Sequence, residues 1–273
     1  MNFWDGAERL NYYILFPSLL FLSLAKVETN ILDLKSTLMI IAIVISIIII
    51  TTYLIAKIRK TPIQRIGVYI QSFIRFNTYI GLSIALSFNN EQIKSILVSI
   101  LALSIPVVNI VSIISLTAKS ELNFTNITIA LIKNPLINSC ILGIICNYFS
   151  IPIWQGLESL LVILSNSSLM LGLLCVGSAI ELTVIMQHYQ KALAVSLIRL
   201  ILIPSFVILL SYFIPLASVN LIAIMIFFSI PTASSAYILT KILKGDHELM
   251  AGIISLQTIL SAFSLPLMIY LIR

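Results

Sequence analysis

The chain has 273 residues, 60% of them hydrophobic and 10% charged, against roughly 45–50% and 25% in soluble domains. No soluble core of this length hides that much apolar surface, so a water-soluble enzyme or binding module is excluded and an all-α, polytopic membrane protein of one domain, residues 1–273, is indicated. The net charge of +6 is no nucleic-acid footprint, because the basic residues are spread over short loops and not gathered on one face.

Apolar runs of about 17–25 residues mark membrane helices. About nine are expected, at 8–25, 36–57, 64–88, 93–117, 126–148, 157–182, 191–213, 217–241 and 248–272. The first opens from a loop-like start and contains Pro17. It lacks a small-x-small cleavage site and so does not read as a signal peptide. The loop after the second holds Lys57, Arg59, Lys60 and Arg65, which makes it cytoplasmic by the positive-inside rule. Alternation then places Arg9, Lys119, Lys191, Lys241 and Lys244 on the same side, with the N-terminus inside and the C-terminus outside. The setting expected is the inner (cytoplasmic) membrane.

The third span is interrupted at Arg75-Phe76-Asn77-Thr78-Tyr79-Ile80-Gly81. Hydrocarbon tolerates unpaired backbone only around a cavity or binding site. Asn77 offers a donor and an acceptor there, either to hold a ligand or to glue helices together; Thr78 shares the argument. Gly81 reads as a close-approach residue. Arg75 lies about 14–18 Å deep at 1.5 Å per residue, near the midplane of the bilayer. A guanidinium at that depth suits a carboxylate-bearing substrate, or an ion pair between helices. In the fourth span Asn109 follows Pro106 and reads as a site residue or an interhelical hydrogen bond. Cys140, Cys146 and Cys175 fall in apolar segments without ligand spacing, so they are expected to be free and to bind no metal. Glu181 and Arg199 flank one loop and are expected to form a salt bridge near the cytoplasmic ends of their helices.

The eighth span is interrupted in turn, at Ser229-Ile230-Pro231-Thr232-Ala233-Ser234-Ser235. Pro231 removes a backbone donor and frees a carbonyl one turn earlier. Thr232, Ser234 and Ser235 can repair the backbone or contact substrate. An odd offset of five spans makes the two broken helices enter from opposite sides. That is the mark of an inverted-repeat transporter, with repeats of about 1–120 and 121–273 and a midplane site. Asn77 and the Thr232–Ser235 segment should then lie within about 10 Å of each other, with the helices antiparallel. Gln257 and Thr258 lie in the last span and read as interhelical hydrogen-bonding residues.

Seven elements in order, from Leu10-Asn11-Tyr12-Tyr13-Ile14-Leu15-Phe16-Pro17 through Phe76-Asn77-Thr78-Tyr79-Ile80-Gly81, Ile105-Pro106-Val107-Val108-Asn109 and Lys133-Asn134-Pro135-Leu136-Ile137 to Leu173-Leu174-Cys175-Val176-Gly177, Ile230-Pro231-Thr232-Ala233 and Gln257-Thr258-Ile259-Leu260-Ser261, give the chain its family resemblance. It resembles the auxin efflux carrier family, whose bacterial members include malate and dicarboxylate permeases. That resemblance implies two inverted five-helix repeats with crossovers at Asn77 and Pro231. It also implies a small organic anion carried by alternating access, coupling to protons or sodium, no cofactor, no enzymatic activity and a homodimer through the scaffold. Against that pattern the family's first helix is missing, so an inactive truncated membrane protein is a rival reading. A bile-acid:sodium symporter-like carrier is the other.

Overall fold

The structure, a computed structural model, describes residues 3–26, 34–117, 129, 132–178 and 182–271, and every regular element among them is a helix. The first expected span is α1 (Phe3–Leu10) and α2 (Phe16–Ala25), joined by a π turn at Asn11–Leu15. Pro17 cannot return a hydrogen bond to the carbonyl one turn back, and the widened turn carries the helix past that gap. Next come α3 (Lys35–Ile58), then α4 (Ile63–Ile74) and α5 (Thr78–Ser87) with an extended break between them, and α6 (Glu91–Leu116). The fifth span appears as α7 (Pro135–Tyr148), its expected start lying outside the described residues, and the sixth as α8 (Gln155–Ser178).

The seventh span is preceded by the short α9 (Leu182–Gln187). It runs as α10 (Tyr189–Leu197), a π turn at Ile198–Leu202 and α11 (Ile203–Ser211), with Pro204 placed after its π turn as Pro17 is after the first. The last elements are α12 (Ser218–Ser229), α13 (Ser235–Ile242) and α14 (His247–Tyr270). Among the described residues five stretches are long and apolar enough to cross a bilayer unaided: Lys35–Ile58, Glu91–Leu116, Gln155–Ser178, Tyr189–Ser211 and His247–Tyr270. The remaining expected spans are built from the shorter or interrupted helices. The chain is a polytopic helical membrane protein. Its outward side chains are those lipid accepts, such as Ile50, Leu54 and Ile55 on α3 and Ile163, Met170 and Leu174 on α8.

Contacts at the two ends agree with the charge-derived topology. At one end Arg65 Nε lies 2.7 Å from Asp246 Oδ2, and the Asp246 N–H donates to the Gln64 carbonyl (3.1 Å). Lys60 and Lys244 close their helices there with φ of 50° and 56°, and the amides that follow, of Thr61 and Gly245, reach back to Ala56 and Thr240. This is the left-handed helix stop, which leaves the last carbonyls satisfied. At the other end Lys26 pairs with Glu158, and the Asn147 side chain donates to the Ala25 carbonyl (3.1 Å).

Two packing groups result. One is α2 with α7 and α8, where Gly143 lets α7 approach so closely that an added Cβ would meet the Phe21 carbonyl at 2.8 Å. The second group gathers α4, α6, α10, α12 and α14 around side chains withdrawn from all surfaces, among them Ile70, Ile74, Leu97, Phe227 and Phe228. Asn11 ties the π turn of the first span to α8, its amide donating to the Ser168 carbonyl (3.0 Å) and its Oδ1 accepting from the Ser168 hydroxyl (2.7 Å). The groups meet where α6 packs on α2 and α7, with the Cys140 thiol 3.7 Å from the Ala102 carbonyl, and at Tyr79, whose ring packs tilted on Phe16 at 4.9 Å and lies 2.4 Å from where a Cβ on Gly172 would be.

Candidate functional site

The two interruptions come together at the centre of the fold. The Asn77 N–H donates to the Pro231 carbonyl at 2.7 Å, joining residues from opposite halves of the chain. The start of α4 and the loop after α13 share one end of the molecule, through Gln64 and Asp246. A cavity of about 510 Å³ lined by Ser87, Asn90 and Ile222 puts the end of α5 beside the start of α12 at the other. The broken helices therefore run antiparallel and cross at their breaks.

Each break orphans carbonyls for an identifiable reason. Phe73 would ordinarily accept from the Asn77 N–H, which is turned to Pro231. Phe227 would accept from residue 231, which is proline and has no N–H. Arg199 supplies both. Its guanidinium donates to the carbonyls of Phe73 (2.5 Å), Ile230 (3.2 Å) and Phe227 (3.4 Å), and the residue is wholly buried. Thr232 and Gln257 serve the other orphans. The Thr232 N–H donates to Gln257 Oε1 (2.9 Å), while the Thr232 hydroxyl lies 2.8 Å from both the Ser72 carbonyl and Gln257 Oε1. Gln257 Nε2 also points at the Ser72 carbonyl, at 3.4 Å. In apolar surroundings such carbonyls are costly if unpaired, so these side chains are what permits the breaks.

The opposite faces of the breaks are helix starts. Asn77 caps α5, its Oδ1 accepting from the N–H groups of Tyr79 (3.1 Å) and Ile80 (3.2 Å). Its Nδ2 is buried and has no partner among the described residues. Arg75, 9% exposed, donates to Ser235 Oγ (3.1 Å) and approaches Gln71 Oε1 at 3.5 Å, and among the described residues no carboxylate pairs with it. Ser235 begins α13, and Ser234 before it places no side chain on that helix's first N–H groups. Ala233, Ser234 and Ser235 are half-buried, unlike the sealed Pro231 and Thr232. Thr78 is buried at the first turn of α5. The amides of Ala236 and Tyr237 in the first turn of α13 donate to the carbonyls of Ala233 and Ser234 (both 3.0 Å), so the donors left on this side of the crossing are the Arg75 guanidinium and, among the described residues, the unpaired Asn77 amide, both favourable to negative charge.

The expected site residues therefore divide. Arg75, Asn77, Thr78, Pro231, Thr232, Ser234 and Ser235 all stand at the crossing. Thr232 is engaged in mending the backbone. Asn109 is buried on α6, and among the described residues no hydrogen bond connects it to either break. Gly81 allows the close approach expected of it, with the Ile230 side chain 2.9 Å from where its Cβ would be. The expected salt bridge of Arg199 with Glu181 falls on a residue outside the described ones, while Arg199 itself lies not near a helix end but at the crossing. The signal was present in the sequence: Arg199 is eight residues into its expected span, about 12 Å at the helical rise. The three cysteines are free, and no group of three His, Cys, Asp or Glu able to hold a metal occurs among the described residues.

A family model describing the Sodium Bile acid symporter family matches residues 164–273, the part of the chain that contains Arg199, Pro231 and Gln257. No curated protein matches the chain. The family match overturns the resemblance to auxin efflux carriers, which rested on short motifs that interrupted membrane helices share for physical reasons. The missing first helix was counted against that family and falls with it. The match is to a transporter family and supports the bile-acid:sodium symporter-like reading over the auxin efflux one.

Proposed function

We propose that this chain is a secondary carrier of the bile-acid:sodium symporter type that binds an organic solute through an acidic group at the crossing of the two broken helices. The observation that supports the reading is a buried, acceptor-poor pair of donors: the Arg75 guanidinium, whose recorded partners are the neutral Ser235 and Gln71, and the Asn77 Nδ2, which has no partner among the described residues. An anionic headgroup would complete these donors in bidentate or forked contact. The remainder of the solute would lie between the two packing groups, beside Tyr79, Phe16 and Tyr12.

Alternating access follows from the same architecture. The group of α2, α7 and α8 touches the crossing chiefly through Tyr79 against Gly172 and Phe16, so rocking there opens the donors to either side in turn. The repeats 1–120 and 121–273 are the two halves that supply one broken helix each. Two readings of coupling, sodium or protons, follow from the symporter type, and the inner membrane is the setting we assign.

Reconstitution in liposomes tests the proposal with a labelled bile acid as the first probe, followed by other carboxylated and sulfonated solutes. The expected result is saturable uptake that unlabelled acids compete away and their neutral esters do not. Absence of uptake for the whole acidic panel, or equal competition by the esters, would contradict it.

A further inference from the structure

We infer that Arg199 is a built-in counter-cation that fills the place between the carbonyl ends of the broken helices, so that the crossing holds no sodium ion. Sodium is the ion the matched family's description implies, and the residues at the crossing do not fit it. A sodium site needs several oxygens left free to converge on the ion, commonly with a carboxylate among them. Among the oxygens that the breaks make available, the carbonyls of Phe73, Phe227 and Ile230 already accept from the Arg199 guanidinium, which stands between them. The Ser72 carbonyl and the Gln257 Oε1 are taken by Thr232. Among the described residues no carboxylate pairs with Arg199 to cancel its charge. A second cation brought beside this wholly buried guanidinium is repelled at short range in a poorly screening interior.

Arg199 does for this fold what a bound cation does at such breaks. It stands at two helix C-termini, where the partial charge is negative, and its planar fork reaches three carbonyls that no single backbone donor could serve. The consequence is a crossing that is assembled without a bound ion. Solute binding at the Arg75 side is then independent of sodium.

The test uses the purified full chain with sodium alone as the probe and does not depend on which solute, if any, is carried. Binding of radioactive sodium and thermal unfolding in sodium chloride against choline chloride of equal ionic strength are measured for the natural chain, Arg199→Lys and Arg199→Ala. The expected result is no saturable sodium binding and no sodium-dependent shift for the natural chain and for Arg199→Lys. Arg199→Ala should unfold at a lower temperature in choline and recover part of the loss in sodium. Saturable sodium binding by the natural chain overturns the inference, and so does an Arg199→Ala protein as stable as the natural one without sodium. If Arg199→Ala yields no folded protein, the sodium binding of the natural chain and of Arg199→Lys decides alone.

Discussion

Arg75 and Arg199 are both arginines inside membrane helices, yet the chain uses them in opposite ways. Arg199 donates from each of its three nitrogens to a main-chain oxygen and holds structure. Arg75 has one neutral partner at 3.1 Å and a second contact at 3.5 Å, which leaves donors for a ligand. Replacing Arg75 by Gln should therefore weaken solute binding about ten- to a hundredfold, the loss of one charge-assisted hydrogen bond of about 1.5–3 kcal/mol, with little change in the unfolding temperature. Binding isotherms beside thermal melts check this; unchanged affinity with a lowered melting temperature would assign Arg75 to structure instead. Gln257→Leu should behave in the reverse sense. It strips the Thr232 N–H of its acceptor in a fully buried place and should cost about 1–3 kcal/mol of stability, read by thermal or denaturant unfolding.

The interrupted helices were legible in the sequence because each carries its own cause: an Asn able to cap the second half at one break, a proline at the other. Their meeting was legible too, since two polar interruptions deep in apolar spans have to be shielded from lipid, and each shields the other. What the sequence concealed was the partner of the orphaned carbonyls. Arg199 is distant from both breaks along the chain and looks like one of many basic residues near a loop, unless its depth in the helix is counted. The family was misread for a related reason. Asn, Pro, Gly and hydroxyl residues at a helix break answer a backbone problem common to many carriers, so the motifs identify the problem and not the lineage. Between elements the proposed alternating access puts the movement at the contact of Tyr79 with Gly172. A Gly172→Leu chain should insert and stay helical but lose most uptake, because a Cβ there already lies 2.4 Å from the Tyr79 ring. Uptake in liposomes set beside circular dichroism measures both properties, and normal transport would show that this contact does not gate access.

On the scale of the whole molecule, the end carrying Lys60, Arg65, Lys244 and Asp246 should face the cytoplasm. A reporter fused after residue 60 should be active only inside the cell, and one placed at 151–154 only outside. The Arg65–Asp246 pair adds a pH dependence at that end. Burial pushes the Asp246 carboxyl up, but the hydrogen bonds from Arg65 and the Leu249 amide, with the Arg65 charge, bring it below its ordinary value of 3.8. The pair's contribution is thus complete above pH 3.8 and is lost as pH falls through the lower folded value. Asp246→Asn should remove that acid-side decline in the melting temperature, an effect of about 1 kcal/mol or less for a partly exposed pair. The account as a whole rests on the crossing being the place where solute binds, and Asn77 allows the most direct test. Asn77→Asp keeps the oxygen that caps α5, through Tyr79 and Ile80, and replaces the unpaired Nδ2 by negative charge next to Arg75. Uptake of the acidic solute by liposomes carrying Asn77→Asp should fall at least tenfold while the melting temperature holds, with Asn109→Ala keeping its uptake; undiminished uptake by Asn77→Asp would contradict the account.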